Sequence, residues 1–354
     1  MRARTQRTFL CEVGVPGGLE AIACHEIERR LGARVDMQSE ALHSTMDGRI
    51  RFLYTGDLSA LLELGTVQTA YVVCQFAVSR PRALLGDAAL REMLELVGYV
   101  RGLWPRAAFT TLRLDAAGAE SAVMTRLRRT LAEGSGLQET TTGGDLEVRV
   151  RRSAPETVGW DVLVRLGPRP LATRAWRVCN LPGALNAAAA HAMVLMTQPH
   201  PNDVFLNLGC GSGTLLIERL ECAPAGRVIG CDSSLKALSC ARRNITAAGY
   251  SEAIELFPWD VRDLPLPDRS VDAACCDLPF GHLVGSHSDN VQLYPALLRE
   301  AARVSKRGAP LVLMTQEVRL LDRVLAGCTA WQTERRIAVR IQGLPRRVVL
   351  LTRR

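Results

Sequence analysis

No run in this chain approaches the roughly 20 uninterrupted apolar residues of a membrane span. The basic opening Met1-Arg-Ala-Arg-Thr-Gln-Arg7 lacks the apolar stretch of a secretion signal. These absences predict a soluble, cytoplasmic protein. Cys-x-x-Cys spacing is missing too, although the chain holds 11 cysteines and an adjacent pair, Cys275-Cys276, inside an apolar run. An odd count without ligand spacing argues against a metal site or a disulfide framework, so buried reduced thiols and no metal are expected. Lysine is almost absent: Lys236 and Lys306 are the only two, so the net charge of +8 rests on arginine. A moderately basic chain is compatible with nucleic acid without requiring it.

What is present is ample apolar content, 47% of 354 residues, enough for two or three packed domains. The stretch that organises the chain is Val204-Phe-Leu-Asn-Leu-Gly-Cys-Gly-Ser-Gly-Thr-Leu-Leu-Ile-Glu218. A strand-length apolar run breaks into Gly209, Gly211 and Gly213, and a helical pattern follows. Glycine turns at a helix N-terminus let a ligand approach the backbone. A dinucleotide fingerprint needs glycine at position 214, where Thr214 stands. The glycines alone leave S-adenosylmethionine (SAM), another nucleotide or a plain tight turn open.

Two carboxylates narrow the choice. Arg227-Val-Ile-Gly-Cys-Asp232 reads as the next strand, with Asp232 at the end where a ribose diol would be held. A third strand over 253–257 leads to Asp260, placed for an adenine amino group. At this βαβ spacing a SAM site is the better reading, formed by Asn207, Gly209, Cys210, Gly211, Ser212, Gly213, Thr214, Asp232, Ser233, Asp260 and Val261.

The second chemical motif is Val271-Asp-Ala-Ala-Cys-Cys-Asp277-Leu-Pro-Phe-Gly281. A fourth strand ends at Asp277, and Pro279 and Gly281 force an irregular loop at the sheet's C-terminal edge, where doubly wound folds keep their ligands. Asp277, the Leu278 carbonyl, Pro279 and the Phe280 ring together suit a flat base with an exocyclic amine. The ring stacks the base, and the oxygens accept the two amino hydrogens.

In chain order, residues 9–15 read as a strand, 19–31 as an amphipathic helix and 33–36 and 49–54 as strands. A helix capped by Asp57 (57–64) and a strand at 71–78 follow. That order, β-α-β-β-α-β, is a ferredoxin-like plan. Helices are expected at 87–97 and 120–131, and strands at 108–114, 146–151 and 158–166. Arg126, Arg128, Arg129, Arg149 and Arg151 in this part are either a solvated face or a phosphate-binding surface. Residues 171–178 read as a linker strand and 184–197 as an alanine-rich helix whose His191 suits packing better than catalysis. Strand-helix alternation then predicts a parallel sheet covered on both faces, ending in an antiparallel hairpin at 337–342 and 347–351.

Here the residues carry a family resemblance. Asp277-Leu-Pro-Phe-Gly281 resembles the loop of amino-group methyltransferases in the form found in THUMP-domain guanosine N2-methyltransferases. Cys210-Gly-Ser-Gly-Thr214, Val15-Pro-Gly-Gly-Leu-Glu20 and Leu181-Pro-Gly-Ala-Leu185 resemble that family's segments as well. The resemblance implies a ferredoxin-like domain (1–79), a THUMP domain (80–168), a linker (169–183) and a Rossmann-like class I methyltransferase domain (184–354). Such an architecture mixes α/β and α+β domains. It further implies a monomer that takes methyl from SAM to guanine N2 in tRNA, at guanosine-6 of the acceptor stem, and grips the RNA with its N-terminal domains. Asn207 and His282 depart from the family, which usually has Asp and a basic residue there. The alternatives are an rRNA guanosine, adenine N6, or an RNA-binding protein with a degenerate catalytic domain.

Overall fold

A computed structural model describes residues 7–37, 48–153, 158–279, 286–341 and 343–354. Two compact units divide the chain. The first holds the described parts of Met1–Val15, Cys24–Ser44 and Arg49–Leu171, and the second those of Pro16–Ala23, Thr45–Gly48 and Ala172–Arg354. Among the described residues no helix is long and apolar enough to cross a membrane.

The first unit contains one eight-stranded sheet. Its strands are β1 (Thr8–Gly14), β2 (Val35–Met37), β3 (Arg49–Thr55), β4 (Thr69–Phe76), β5 (Thr111–Ala116), β6 (Gln138–Thr140), β7 (Leu146–Arg152) and β8 (Trp160–Arg165). They lie in the order β2-β3-β1-β4-β8-β7-β5-β6. The helices of this part of the chain are α1 (Glu20–Leu31), α2 (Asp87–Gly102) and α3 (Ala122–Ser135).

Alternation sets the two faces of this sheet. Cys11, Val13, Ile50, Phe52 and Tyr54 are buried, whereas Arg51 between them pairs with Glu12 at 2.6 Å. Arg51 and Arg151 both reach Glu12 and Asp161, and Arg165 meets Glu147 at 3.0 Å. Arg149 bonds Asp115 at 2.9 Å. That face is therefore a lattice of alternating charges in which most arginines already have partners.

The α-helix expected from Asp57 is a 3-10 turn, Leu58–Glu63. Asp57 does cap it, accepting the Ser59 N–H at 3.0 Å. The buried residues are Leu58, Leu61 and Leu64, spaced by three, which matches the 3-10 repeat rather than 3.6. Buried Glu26 on α1 then accepts the Gly65 and Thr66 N–H groups, each at 2.9 Å.

The second unit alternates strand and helix. After α4 (Ala187–Met196) come β9 (Val204–Leu208), α5 (Thr214–Cys222), β10 (Arg227–Cys231), α6 (Leu235–Ala247), β11 (Ile254–Phe257), β12 (Ala273–Asp277) and α7 (His287–Val304). Then follow β13 (Pro310–Thr315), α8 (Val318–Ala326), β14 (Trp331–Ile341) and β15 (Leu344–Arg353). The order β11-β10-β9-β12-β13-β15-β14 is parallel up to β13, and the terminal pair closes it as an antiparallel hairpin. Sequence order reverses between β9 and β12. That pair is the switch point where a crevice opens beyond the strand ends.

Helices cover both faces. Small side chains on α4 let it seat deeply, and the cluster there includes Ala189, Met193, Phe205, Leu216 and Val312. The opposite cluster joins Leu206, Ile229, Cys276, Tyr294 and Leu313. Pro16–Ala23 belongs to this unit: Arg340 N–H donates to Gly17 O at 2.8 Å, and Leu19 and Ile22 join the first cluster. Gly18 has φ +95, and a Cβ there would lie 2.0 Å from the Ala338 oxygen.

Two expectations fail in this unit. Residues 171–178 form turns rather than a strand, because their N–H groups bond locally, Arg177 to Arg174 O and Val178 to Trp176 O. The cysteines are not all reduced: Cys179 and Cys240 form a disulfide, with Cα atoms 5.5 Å apart. The pair is 61 residues apart in sequence, so only the fold brings it together.

Candidate functional site

The glycine turn after β9 is left-handed three times over, with φ of +64 at Gly209, +55 at Gly211 and +81 at Gly213. An added Cβ at Gly209 or Gly211 would meet no protein atom within 4 Å, whereas at Gly213 it would sit 3.3 Å from Ala241 Cβ. The first two glycines border open space; the third lets α5 pack close to α6. The turn is fastened by Cys210 N–H to Cys231 O (2.8 Å) and Gly211 N–H to Asp232 Oδ2 (2.9 Å). Asp232 Oδ1 accepts the Ser234 N–H at 2.9 Å, which opens α6.

A cavity of about 750 Å³ lies at this edge. Gly209, Cys210, Gly211, Ser212 and Thr214 line it from the turn, Asp232 and Ser233 from the end of β10, and Asp260 and Val261 from beyond β11. Asp277, Leu278 and Pro279 line it from the end of β12. Most of the residues expected for cofactor and substrate thus line one space. Phe280, Gly281 and His282 lie outside the described residues.

Asn207, also expected at the cofactor, stands apart from the other residues of that set. It is fully buried and does not line the cavity; its Nδ2 donates to Cys275 O at 3.1 Å, tying β9 to β12. Its Oδ1 is buried and has no hydrogen-bond partner among the described residues. Gly213 does not line this cavity, and its missing Cβ leaves room for Ala241 of α6.

Asp277 is the chemically distinctive group. Its Oδ1 is buried with no hydrogen-bond partner among the described residues. Burial pushes its carboxyl up to about 7, and the Arg346 charge works the other way. By contrast Asp260 is held low by the guanidinium of Arg262, which bonds both carboxylate oxygens at 2.9 and 3.0 Å. Two acids on one cavity are thereby set apart.

The loop after Asp277 is braced from α7. The Tyr294 hydroxyl donates to Pro279 O at 2.8 Å, and Asn290 Nδ2 donates to the same oxygen at 2.9 Å. The Leu278 N–H donates to Met314 O at 2.9 Å. Sequence reasoning missed Asn290 and Tyr294, because their only signal is a helix following the motif. It also missed Trp259, which lines the cavity and stacks on Phe257 with centroids 4.0 Å apart. An aromatic one residue before Asp260 was a readable hint. Arg177, donating to Thr214 Oγ1 at 3.1 Å and Leu185 O at 2.9 Å, was missed for want of any motif.

His191 is a core residue, 1% exposed, with Nδ1 2.8 Å from Glu218 Oε2. The five arginines expected at an RNA face lie in the first unit and are not alike. Arg126 is exposed, and Arg129 is 62% exposed beside Glu139. Arg128 is buried against the same Glu139, and Arg149 and Arg151 belong to the charge lattice of the sheet.

Comparisons with known proteins agree with this geometry. Residues 174–347 match the family described as RMKL-like, methyltransferase domain. The Mus musculus protein named tRNA (guanine(6)-N(2))-methyltransferase THUMP3 is 33% identical over 186 residues, 49% of this chain and 37% of its own. The Bos taurus U6 snRNA (guanine-N(2))-methyltransferase THUMPD2 is 35% identical over 148 residues, 42% of this chain and 28% of its own. The matches thus span little more than a third of the curated relatives, or less. Among solved structures, TrmN from Thermus thermophilus shares the fold with a TM-score of 0.77 at 22% identity, over 98% of this chain and 100% of that one. SMU.472, solved in complex with SAH, has a TM-score of 0.69 at 14% identity over 99% of each chain.

Proposed function

We propose, from the premise that residues 174–347 are an RMKL-like methyltransferase domain, that this chain methylates the exocyclic N2 of a guanosine in RNA. SAM is the methyl donor and tRNA the substrate. The observation that carries the reading is Asp277: a buried, unpartnered carboxylate oxygen at the switch point, sharing one cavity with the open glycine turn. Names of the matched relatives support guanine N2 as the acceptor.

The residues present fit SAM. Gly209 and Gly211 leave room at the backbone, Asp232 would hold the ribose diol, and Asp260, Val261 and Trp259 would hold the adenine. When bound, SAM supplies a methyl group activated by its sulfonium. The guanine amine is a poor nucleophile because its lone pair is delocalised into the ring, so positioning dominates the enzyme's task. Asp277 and the Leu278 carbonyl accept the amino hydrogens and favour the pyramidal nitrogen of the transition state. A carboxyl titrating near 7 is also matched to receiving the proton that leaves. Phe280 is assigned to stacking on the base.

In this reading residues 1–79 are a ferredoxin-like domain, 80–168 a THUMP domain and 169–183 a linker to a catalytic domain over 184–354, working as a cytoplasmic monomer. The antiparallel order β4-β1-β3-β2 supports the first assignment. Arg126 and Arg129 are assigned to phosphate, and guanosine-6 of the acceptor stem is the site to test first. Incubation of the protein with SAM and unmodified tRNA, then nucleoside mass spectrometry, should give N2-methylguanosine. Methyl on adenine, or no product with tRNA, snRNA or rRNA, overturns the reading.

A further inference from the structure

An aspartate and a carbonyl read only an amine, and guanine, adenine and cytosine all carry one. What separates them is the neighbouring ring nitrogen: guanine N1 bears a hydrogen, whereas adenine N1 and cytosine N3 bear a lone pair. Selection of guanine therefore calls for a second acceptor beside Asp277.

Asn290, in the first turn of α7, is fully buried and lines the same cavity as Asp277. Its Nδ2 donates to Pro279 O at 2.9 Å and also to Glu317 Oε1. A carbonyl and a carboxylate can only accept, so the NH₂ end must face them and both its hydrogens are used. Glu317 is itself fixed, by His287 on Oε2 and through its own N–H to Thr315 Oγ1 at 2.9 Å. The amide cannot flip without setting oxygen against oxygen twice. Its Oδ1 is thus turned away from the brace, buried and without a partner among the described residues. Such an atom is rare in a folded protein and calls for a reason.

Two unpartnered buried oxygens, Asp277 Oδ1 and Asn290 Oδ1, therefore belong to residues that line one cavity and flank Pro279. We propose that Asn290 Oδ1 accepts the N1–H of the target guanine while Asp277 accepts from its amino group. Asn290 is then the residue that sets guanine over adenine, since an adenine or cytosine would oppose its oxygen with a lone pair. The inference rests on the guanine-N2 reading and adds the atom that selects the ring.

The test compares full-length protein on two tRNAs, one with guanosine and one with 2-aminopurine ribonucleoside at the target. The latter keeps the 2-amino group but has a lone pair at N1. Wild type should prefer guanosine by roughly a hundredfold in kcat/KM, because the analogue leaves a buried acceptor unpaired. In Asn290→Ala that preference should fall to within about fivefold. Tyr294→Phe loosens the same brace on Pro279 but keeps the acceptor, so it should lower both rates and preserve the ratio. If the alanine variant does not fold, the wild-type preference between the two tRNAs carries the test alone. Equal use of the two substrates by wild type, or an undiminished ratio in Asn290→Ala, overturns the proposal while the guanine-N2 reading stands. Absence of N2-methylguanosine with the guanosine tRNA defeats the reading itself.

Discussion

Asp232 Oδ2 accepts the Gly211 N–H at 2.9 Å, so the carboxylate proposed for the cofactor's ribose also holds the glycine turn in place. Ligand contact and loop geometry are joined in one side chain. Asp232→Ala should therefore weaken SAM binding by about 1.5–3 kcal/mol, the value of a charge-assisted hydrogen bond. Asp232→Asn keeps an acceptor and should fall between. Calorimetry with SAM measures both, and undiminished affinity in the alanine variant would remove the site assignment.

Gly211 and Gly213 should behave differently under the same substitution. Gly211→Ala places its methyl in space that only a ligand fills, so SAM affinity should drop more than tenfold (about 1.4 kcal/mol). Its cost to folding is then only the left-handed backbone, about 1–2 kcal/mol. Gly213→Ala brings its methyl against Ala241 at 3.3 Å and should lower Tm more while disturbing affinity less. Melting curves and calorimetry on both variants separate the cases; the reverse pattern would contradict a ligand role for Gly211 and a packing role for Gly213.

The Asp277 carboxyl, raised to about 7, makes turnover pH-dependent. Only the ionised form can take the proton that leaves and accept from the amine with charge assistance, so kcat should rise with pH and reach half its limit near 7. Stability runs the opposite way. Between the unfolded value near 3.8 and the folded value near 7 the native state binds the extra proton, so stability falls as pH rises through that window. Asp277→Asn should accordingly gain more Tm over wild type at pH 8 than at pH 5. A kcat that stays flat from pH 6 to 8, or a Tm difference that does not change, would show that the carboxyl is not perturbed.

The arginines of the first unit should divide by exposure. Arg151→Ala leaves Glu12 and Asp161 short of a partner and should destabilise the protein with little effect on the salt dependence of tRNA binding. Neutralising exposed Arg126 and Arg129 should do the opposite. Removing one arginine–phosphate pair lowers the slope of log affinity against log salt by about 0.9. Binding titrations over a salt series, beside melting curves, would reveal a mistaken division.

These divisions mark where the sequence could be read and where it could not. The glycine turn, Asp232 and the Asp277 loop were legible because each is local: a strand, a turn and the residue at its end. The strands of the second unit are legible for the same reason. The 3-10 turn at Leu58–Glu63 reads as an α-helix in sequence because two turns of leucines are too short to separate the two periods. Cys179 with Cys240, and Asn290 with Glu317, are relations across the fold, and spacing along the chain carries no trace of them. Arginines on a strand look alike in sequence; their acidic partners on neighbouring strands decide which are free to meet RNA.

The bond between Arg340 and Gly17 has a consequence for dissection of the protein. The methyltransferase sheet is completed by a strip of chain from the opposite end of the sequence, seated so tightly at Gly18 that no larger residue fits. A fragment begun at residue 174 would expose the seat that Leu19 and Ile22 fill and leave the Arg340 amide without its partner. Such a fragment should aggregate, and a peptide spanning 15–24 added in trans should restore its solubility.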